Sequence, residues 1–464
     1  MNHIHLIGIG GSGLSAIALL LKEKGYTVTG SDRSLSPLTR QLAAQGVIIY
    51  AGHDPANVHG ADRVVRSSAI QDDNPEVQAA RAQGIPVLKR QDFLAELMTG
   101  QTVVAVAGTH GKTTTTAMLA WVLTSLGQDP SYLIGGVSKN LGNNAHAGQG
   151  PLFVVEADEY DSMFLGLRPQ YALVTSIEHD HPDCFPTPES YLEAFVRFVA
   201  CLSSGGVLLL SADDSGARSL AQQHGRSDIA TLTYGASPAA GYRTVIKSIN
   251  PNGGCQFQVL FAGNNGSAKT LVEVSLQIPG EHNALNASAV LALCHRIGLS
   301  LDQAAAALAR FNGTGRRFDL LGEAAGVAVI DDYAHHPTAV QATLSAARDR
   351  YPGRRIWAVW QPHTYSRTIA LIDRFAHAFS TADRVLVTEI YGARERSEGF
   401  SAAQVVAQMD HPDARFVPSL AETSACLLED LRPGDVLLVL SAGDADQVSA
   451  AVLAGLRQKE RENV

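Results

Sequence analysis

The chain has 464 residues, enough for about three domains that each bury a core of their own. Its formal net charge of −9 argues against a nucleic-acid partner, which would need a basic stripe, so anionic ligands have to be held by local clusters of cations. The five cysteines, Cys184, Cys201, Cys255, Cys294 and Cys426, are scattered without C-x-x-C spacing, which excludes a disulfide framework and a zinc site and suits a reducing compartment.

The apolar N-terminal stretch lacks a basic n-region and is broken by Gly8, Gly10, Gly11 and Gly13, so neither a signal peptide nor a membrane span is expected and the expected location is the cytoplasm. A strand is predicted over His3 to Ile7, then the loop Gly-Ile-Gly-Gly-Ser-Gly at 8–13, a helix over Leu14 to Glu23 and a strand over Tyr26 to Gly30 that leads to Asp32. Glycines between strand and helix, with an acid at the next strand end, form the dinucleotide fingerprint. The same glycines also suit plain tight packing of helix on sheet. Strand and helix patterns alternate to about residue 100, with turn signals at Gly25, Gly46, Gly84 and Gly100, which gives a first βαβ domain over residues 1–100.

A second glycine loop follows. Gln101 to Ala107 reads as a buried strand and Thr113 to Leu126 as a helix, with Gly-Thr-His-Gly-Lys-Thr at 108–113 on the turn between them. Helix N-termini attract phosphate, Lys112 would bring a point charge to the β/γ-phosphates, and the Thr113 hydroxyl would be a ligand for Mg²⁺. The loop is two residues shorter than a standard Walker A motif, because Val106 stands where that motif has its first glycine. A dehydrogenase would have no use for this second loop. The first loop is therefore better read as a site for another pyrophosphate ligand, such as a UDP-sugar.

Further strands are expected at Leu152 to Glu156, Tyr171 to Ile177 and Gly206 to Leu210. The first runs into Glu156-Ala-Asp-Glu-Tyr-Asp161 and the second into Glu178-His-Asp-His-Pro-Asp183. Open α/β sheets place ligands beyond the carboxyl ends of their strands. Glu156 is thus expected to bind magnesium and His181 a second metal, with Asp180 orienting an imidazole or a water. Thr231 to Pro279 reads as an antiparallel addition to this sheet, Ala284 to Ile297 and Leu301 to Phe311 as helices, and Gly313 to Arg317 as a hinge closing a second domain over residues 101–315. A third domain, 316–464, is expected to begin with the strand Val327 to Ile330 and to continue with strands at Arg355 to Trp360, Arg384 to Glu389 and Val436 to Leu440, completing another doubly wound sheet. Two of these strands end in polar clusters, Asp331-Asp-Tyr-Ala-His-His-Pro337 and Gln361-Pro-His-Thr-Tyr-Ser-Arg367, whose histidines and Arg367 suit a carboxylate or phosphate.

Taken in order, Gly8–Gly13, Gly108–Thr113, Glu156-Ala-Asp-Glu159, Asp180-His181, Gly280-Glu-His-Asn283, Arg316-Arg-Phe318, Asp331–Pro337 and Gln361-Pro-His363 resemble the motif set of the Mur ligases over nearly the whole chain, including the short lysine loop. The resemblance implies an α/β fold of three domains: an N-terminal Rossmann-like UDP-binding domain, a central P-loop-type ATPase domain and a C-terminal Rossmann-like domain. It also implies an ATP- and Mg²⁺-dependent amide ligase of peptidoglycan synthesis, working through an acyl phosphate on a muramic acid carboxylate.

Carried over by motif, Gly108, Thr109, His110, Gly111, Lys112, Thr113, Thr114, Asn283, Arg317 and Asp332 are expected at ATP. Thr113 and Glu156 are expected at one magnesium, Glu156 and His181 at the other. His335, His363 and Arg367 are expected near the incoming amino acid, with Lys112, His181, His335 and Arg367 as the catalytic set. Gly8, Gly10, Gly11, Gly13, Asp32, Ser67, Ser68 and Ala69 are expected at the UDP-sugar. The resemblance implies small-molecule substrates, UDP-N-acetylmuramate and L-alanine, no nucleic acid or membrane, and a monomer or homodimer.

The absence of lysine between Lys139 and Lys247 leaves no candidate for the carbamylated lysine of some related ligases, as in the alanine-adding branch. Three departures keep the acceptor open. Thr364 stands where that branch has an arginine after Gln-Pro-His, and Ala334 with Ala339, and Tyr160, look more like the recycling branch that joins a whole tripeptide. Glycine or serine are further acceptors. From other classes, a nicotinamide-dependent oxidoreductase built on the first loop and a non-catalytic UDP-sugar sensor remain alternatives, to be separated by NADH binding and by ATP turnover.

Overall fold

The computed structural model describes residues 3–262, 268–397 and 399–462. Three sheets follow one another along the chain. The first has strands β1 (His3–Ile7), β2 (Thr27–Asp32), β3 (Ile48–Ala51), β4 (Arg63–Arg66) and β5 (Val87–Lys89), in the order β3-β2-β1-β4-β5. All neighbours are parallel. The order reverses between β1 and β4, so the crevice at their carboxyl ends opens where the first glycine loop stands. The helix after that loop, Ser12–Glu23, buries Leu14, Ile17, Leu20 and Leu21 against the sheet.

The second sheet contains β6 (Thr102–Ala107), β7 (Ser131–Leu133), β8 (Ala145–His146), β9 (Leu152–Glu156), β10 (Tyr171–Val174), β11 (Val207–Ser211), β12 (Ala230–Gly235), β13 (Tyr242–Ile249), β14 (Cys255–Ala262) and β15 (Ala268–Ser275). Its order is β15-β14-β13-β12-β11-β10-β6-β9-β7-β8. β6, the most central of the loop-bearing strands, is almost entirely buried, as its run Val-Val-Ala-Val-Ala requires. The antiparallel addition is narrower than the expected stretch from Thr231 to Pro279: β12 runs parallel to β11 and β13 runs parallel to β12, and only β14 and β15 add antiparallel to that edge. The predicted strand over Tyr171 to Ile177 leaves the ladder after Val174 because the next residues bond to the lysine loop: Ser176 O accepts from Thr109 N at 2.8 Å, and the Ser176 hydroxyl accepts from His110 N at 3.1 Å.

The third sheet holds β16 (Asp319–Ala324), β17 (Val327–Asp332), β18 (Ile356–Trp360), β19 (Arg384–Val387), β20 (Ala414–Phe416) and β21 (Val436–Leu440), ordered β16-β17-β21-β18-β19-β20. It is parallel except for β16, an antiparallel edge strand joined to β17 by a turn at Ala325 and Gly326. This unit thus starts one strand earlier than the sequence suggested. Exposed Leu320 and Leu321 and the bulge at Gly322 hid β16, since an edge strand needs no alternating apolar pattern. Two separate apolar clusters, one around Trp360 and Phe375 and the other around Leu437 and Val452, cover the two faces.

The stretch read as a hinge is tied on both sides. Lys139 N donates to Gly313 O at 3.0 Å, Gly315 N donates to Val137 O at 2.9 Å, and Lys139 pairs with Asp319 at 2.6 Å. Among the described residues no helix is long and apolar enough to cross a membrane.

Candidate active site

The lysine loop leaves β6 and turns into the helix Lys112–Ser125. Gly108 sits at φ +129°, and a Cβ there would lie 2.1 Å from Thr175 Oγ1, so only glycine fits. The Thr175 hydroxyl donates to His110 O at 2.5 Å. Gly111 caps the helix without a side-chain bond, which leaves the first amides, including those of Thr113 and Thr114, free to meet an anion.

Lys112 is largely buried, and its ammonium donates to both oxygens of Glu159 at 2.8 and 3.0 Å and to Gly108 O at 2.5 Å. Burial alone would lower its pKa, but the charges of Glu159, Asp158 and Glu156 raise it above the ordinary value, so the residue stays cationic. Glu159 is fully buried and also accepts from the Tyr191 hydroxyl, which stands 3.0 Å from Thr109 Oγ1.

Beside this pair, the Thr113 hydroxyl donates to Glu156 Oε1 at 3.0 Å and Gly135 N donates to Oε2 at 2.7 Å. Desolvation pushes the Glu156 carboxyl up against the opposing pull of Lys112, Gly135 and Arg317. A desolvated carboxylate next to a helix-N-terminal hydroxyl is a hard oxygen pair that a magnesium ion would stabilise.

His181 is held at φ 55°, with Nε2 3.9 Å from Glu159 Oε1 and Nδ1 3.3 Å from the Arg367 guanidinium. Arginine can only donate, so this contact puts the neutral ring's proton on Nε2. A metal at Nε2 therefore requires the proton to move to Nδ1 and the Arg367 contact to open.

Across the junction with the C-terminal unit, Arg367 is 3 % exposed and donates to Asp180 Oδ1 at 2.6 Å and to His363 Nδ1 at 3.1 Å. Burial alone would raise the Asp180 carboxyl, but Arg367 and the surrounding histidines hold it well below the usual carboxylate range. His335 Nδ1 donates to Tyr333 O at 2.8 Å, so Nε2 keeps its lone pair; desolvation and Arg367 press the pKa of the ring well below its ordinary value. The rings of His335 and His363 are 5.7 Å apart.

Asp332, at the end of β17, accepts from Phe318 N at 2.6 Å and Ala334 N at 2.7 Å, while Arg317 lies over the Tyr333 ring at 4.7 Å. The Asn283 side chain donates to Pro279 O at 2.6 Å. Its helical neighbour Asn286 is the one that reaches the lysine loop, with Oδ1 2.9 Å from where a Gly111 Cβ would stand.

The first loop is braced from behind. Gly8 and Ile9 donate to Ser31 O at 2.8 and 3.1 Å, and Gly10 N donates to Asp32 Oδ2 at 2.8 Å, so Asp32 supports the loop itself. Ser67 lies against Gly8 and accepts from Ala69 N at 3.3 Å; Ser68 and Ala69 are exposed at the crevice. A Cβ at Gly13 would collide with the Arg90 guanidinium, whose other nitrogen lies 3.7 Å from Asp158 of the central unit.

Sequence reading thus missed Glu159, Asn286 and Arg90. Glu159 had a signal in its place after a strand end. Asn286, three residues after Asn283, shares its helix face. Arg90 carries no motif, and only the fold brings it to Gly13.

Three family models match the chain in order: the Mur ligase family, catalytic domain, over residues 3–102; the Mur ligase middle domain over 106–294; and the Mur ligase, glutamate ligase domain, over 316–443. A UDP-N-acetylmuramate–L-alanine ligase of Roseiflexus castenholzii is 42 % identical, covering 99 % of this chain and 98 % of its own. Among solved structures, a UDP-N-acetylmuramate–alanine ligase of Thermotoga maritima superposes with a TM-score of 0.83 at 29 % identity, covering 99 % of this chain and 100 % of its own. A murein peptide ligase of Psychrobacter arcticus gives 0.73 at 28 % identity, over 98 % and 99 % of the two chains.

Proposed function

The chain belongs to the Mur ligase family, and from that premise we propose that it joins L-alanine to the carboxylate of UDP-N-acetylmuramate at the expense of ATP, in peptidoglycan synthesis. The observation that carries this reading is the meeting of two strand-end clusters. His181 stands 3.9 Å from Glu159, the partner of Lys112, and 3.3 Å from Arg367, the partner of Asp180 and His363. A phosphate-activating centre and an acceptor centre thereby share one junction.

In this reading residues 1–100 hold the UDP-sugar, 101–315 the ATP and 316–464 the amino acid. The lysine loop amides and Lys112 neutralise the γ-phosphate while the muramic acid carboxylate attacks it, giving an acyl phosphate and ADP. Thr113 and Glu156, with His181 once it is free of Arg367, would hold magnesium, which when bound supplies further charge neutralisation at the phosphates. Arg367 and His363 orient the amino acid, and His335 Nε2, unprotonated at neutral pH, takes the proton as the amine attacks the acyl phosphate carbonyl and phosphate leaves. Asp332 and Arg317 serve the nucleotide. The enzyme acts in the cytoplasm on small molecules, as a monomer or homodimer.

A second reading, with a tripeptide as acceptor, is favoured by one observation. Tyr160 donates to Asp183 at 3.0 Å, receives Arg394 at 3.3 Å and packs edge-on against His181, so an extra cation stands at the mouth of the acceptor centre. Phosphate release from ATP with Mg²⁺ and UDP-N-acetylmuramate, adding L-alanine, glycine, L-serine or the tripeptide singly, separates the readings. Release that requires both the UDP-sugar and L-alanine supports the first, and dependence on the tripeptide supports the second. No UDP-sugar-dependent release with any acceptor would overturn both.

A further inference from the structure

Glu178 has no part in the chemistry above, yet it joins the lysine loop to the C-terminal unit. Its backbone brackets Thr109: the Thr109 hydroxyl accepts from Glu178 N and lies 2.9 Å from Glu178 O. Its carboxylate divides its two oxygens. Oε2 bonds His110 Nε2 of the loop at 2.7 Å and lies 3.6 Å from His336 Nδ1, while Oε1 accepts from the Thr338 hydroxyl at 2.9 Å and from Arg374 at 2.5 Å. Arg374 also donates to the Thr338 hydroxyl at 2.8 Å, and His336, 1 % exposed, packs its ring 4.8 Å from that of His110. One carboxylate is thus shared between the loop that would carry phosphate and three residues of the unit that would carry the acceptor.

We propose that Glu178 is a positioning residue that makes the geometry of the lysine loop depend on docking of the C-terminal unit, acting through His110 on one side and through Thr338 and Arg374 on the other. The proposal rests on the ligase reading in placing ATP at residues 108–113. Its physical logic is that a reacting phosphate tolerates little misplacement, so a loop set correctly only when the acceptor unit is docked keeps ATP from being spent on water. Arg374 is half exposed, and an ordinary pair of that kind contributes little to stability and nothing to catalysis.

The test is a double-mutant cycle with Glu178→Gln and Arg374→Gln, read in kcat, in ADP–Mg²⁺ affinity and in UDP-N-acetylmuramate affinity. The expected result is that each single variant lowers kcat about tenfold or more and weakens ADP, that the double variant is no worse than the weaker single, and that UDP-sugar affinity stays within about twofold. Thr338→Val, which removes one hydroxyl without a charge, is expected to fall between wild type and Arg374→Gln. Effects that multiply in the double variant, an Arg374→Gln enzyme with unchanged kcat, or a parallel loss of UDP-sugar affinity would each overturn the proposal. The ADP arm needs no turnover, so loss of ADP affinity can be read even if the ligase reading fails. Failure of the ligase reading would show instead as wild-type protein that releases no phosphate.

Discussion

The two glycine loops occupy the same position on their sheets, at the carboxyl end of a central parallel strand and the start of a helix, yet they obtain positive charge in different ways. The second loop carries its own cation, Lys112, fixed by a buried carboxylate from the neighbouring strand end. The first loop has none, and the guanidinium against Gly13 comes from Arg90, at the start of the helix that leads into the central unit. A bystander pyrophosphate needs only backbone amides and a nearby charge to hold it, whereas a phosphate in reaction needs a cation fixed at bonding distance. On the proposed reading, the same backbone device serves binding in one place and chemistry in the other.

The largest expected effect comes from breaking the charged loop. Lys112→Ala should lower ATP-dependent ligation by about a thousandfold in steady-state assays. Next, the two glycine positions should separate the sites. Gly108→Ala drives a Cβ into Thr175 and should cut turnover about a hundredfold, whereas Gly13→Ala displaces Arg90 and should raise the KM for the UDP-sugar while leaving ADP affinity alone. If both variants damaged both ligands equally, the division of labour would be wrong.

Acid should sharpen a different contrast, between the first and third units. Burial lowers the His336 and His363 pKa values to about 4 from 6.5, so the unfolded chain binds protons there that the folded chain refuses. Stability of the C-terminal unit should then fall as pH drops from about 6.5 towards 4, by at most about 1.4 kcal/mol per pH unit for each histidine, partly offset by Asp331, whose carboxyl, raised to about 6 by burial, takes up a proton in the folded state over the same range. In the first unit Glu76, held at about 2 against burial by the nearby His5 ring at 3.6 Å and by hydrogen bonds from Ser31 and Asn57, keeps its contribution above pH 4.5 and loses it only below. Urea unfolding in a Trp121→Phe background, followed by the fluorescence of Trp357 and Trp360 at pH 7 and 5, reads the third unit, and His336→Gln should flatten the slope. The smallest effect is at the acceptor: Thr364→Arg should lower the KM for L-alanine about fivefold by adding a carboxylate partner, and no change with Arg367 still essential would mean that the carboxylate is held another way.

The parallel strands, both glycine loops and the acids after β9 and β10 were legible because buried parallel strands read as apolar runs, and the residue after such a run stands at the ligand edge of the sheet. Strand β16 was not, because its leucines face solvent. The partnerships were less legible than the residues. Asp180 and Arg367 are 187 positions apart, and Glu178 and Arg374 are 196 apart, so nothing in local pattern could join them. Arg90 shows the same limit, as a cation in an ordinary helix start that matters only because the linker passes the first loop.

The most direct measurement is calorimetric titration of Lys112→Ala and wild-type protein with UDP-N-acetylmuramate and, separately, with ADP and Mg²⁺. Two independent sites require that the variant keep UDP-sugar affinity within about twofold while ADP binding falls at least tenfold, since only the second loop loses its cation. Equal loss of both ligands would contradict the account of one loop built for binding and the other for chemistry.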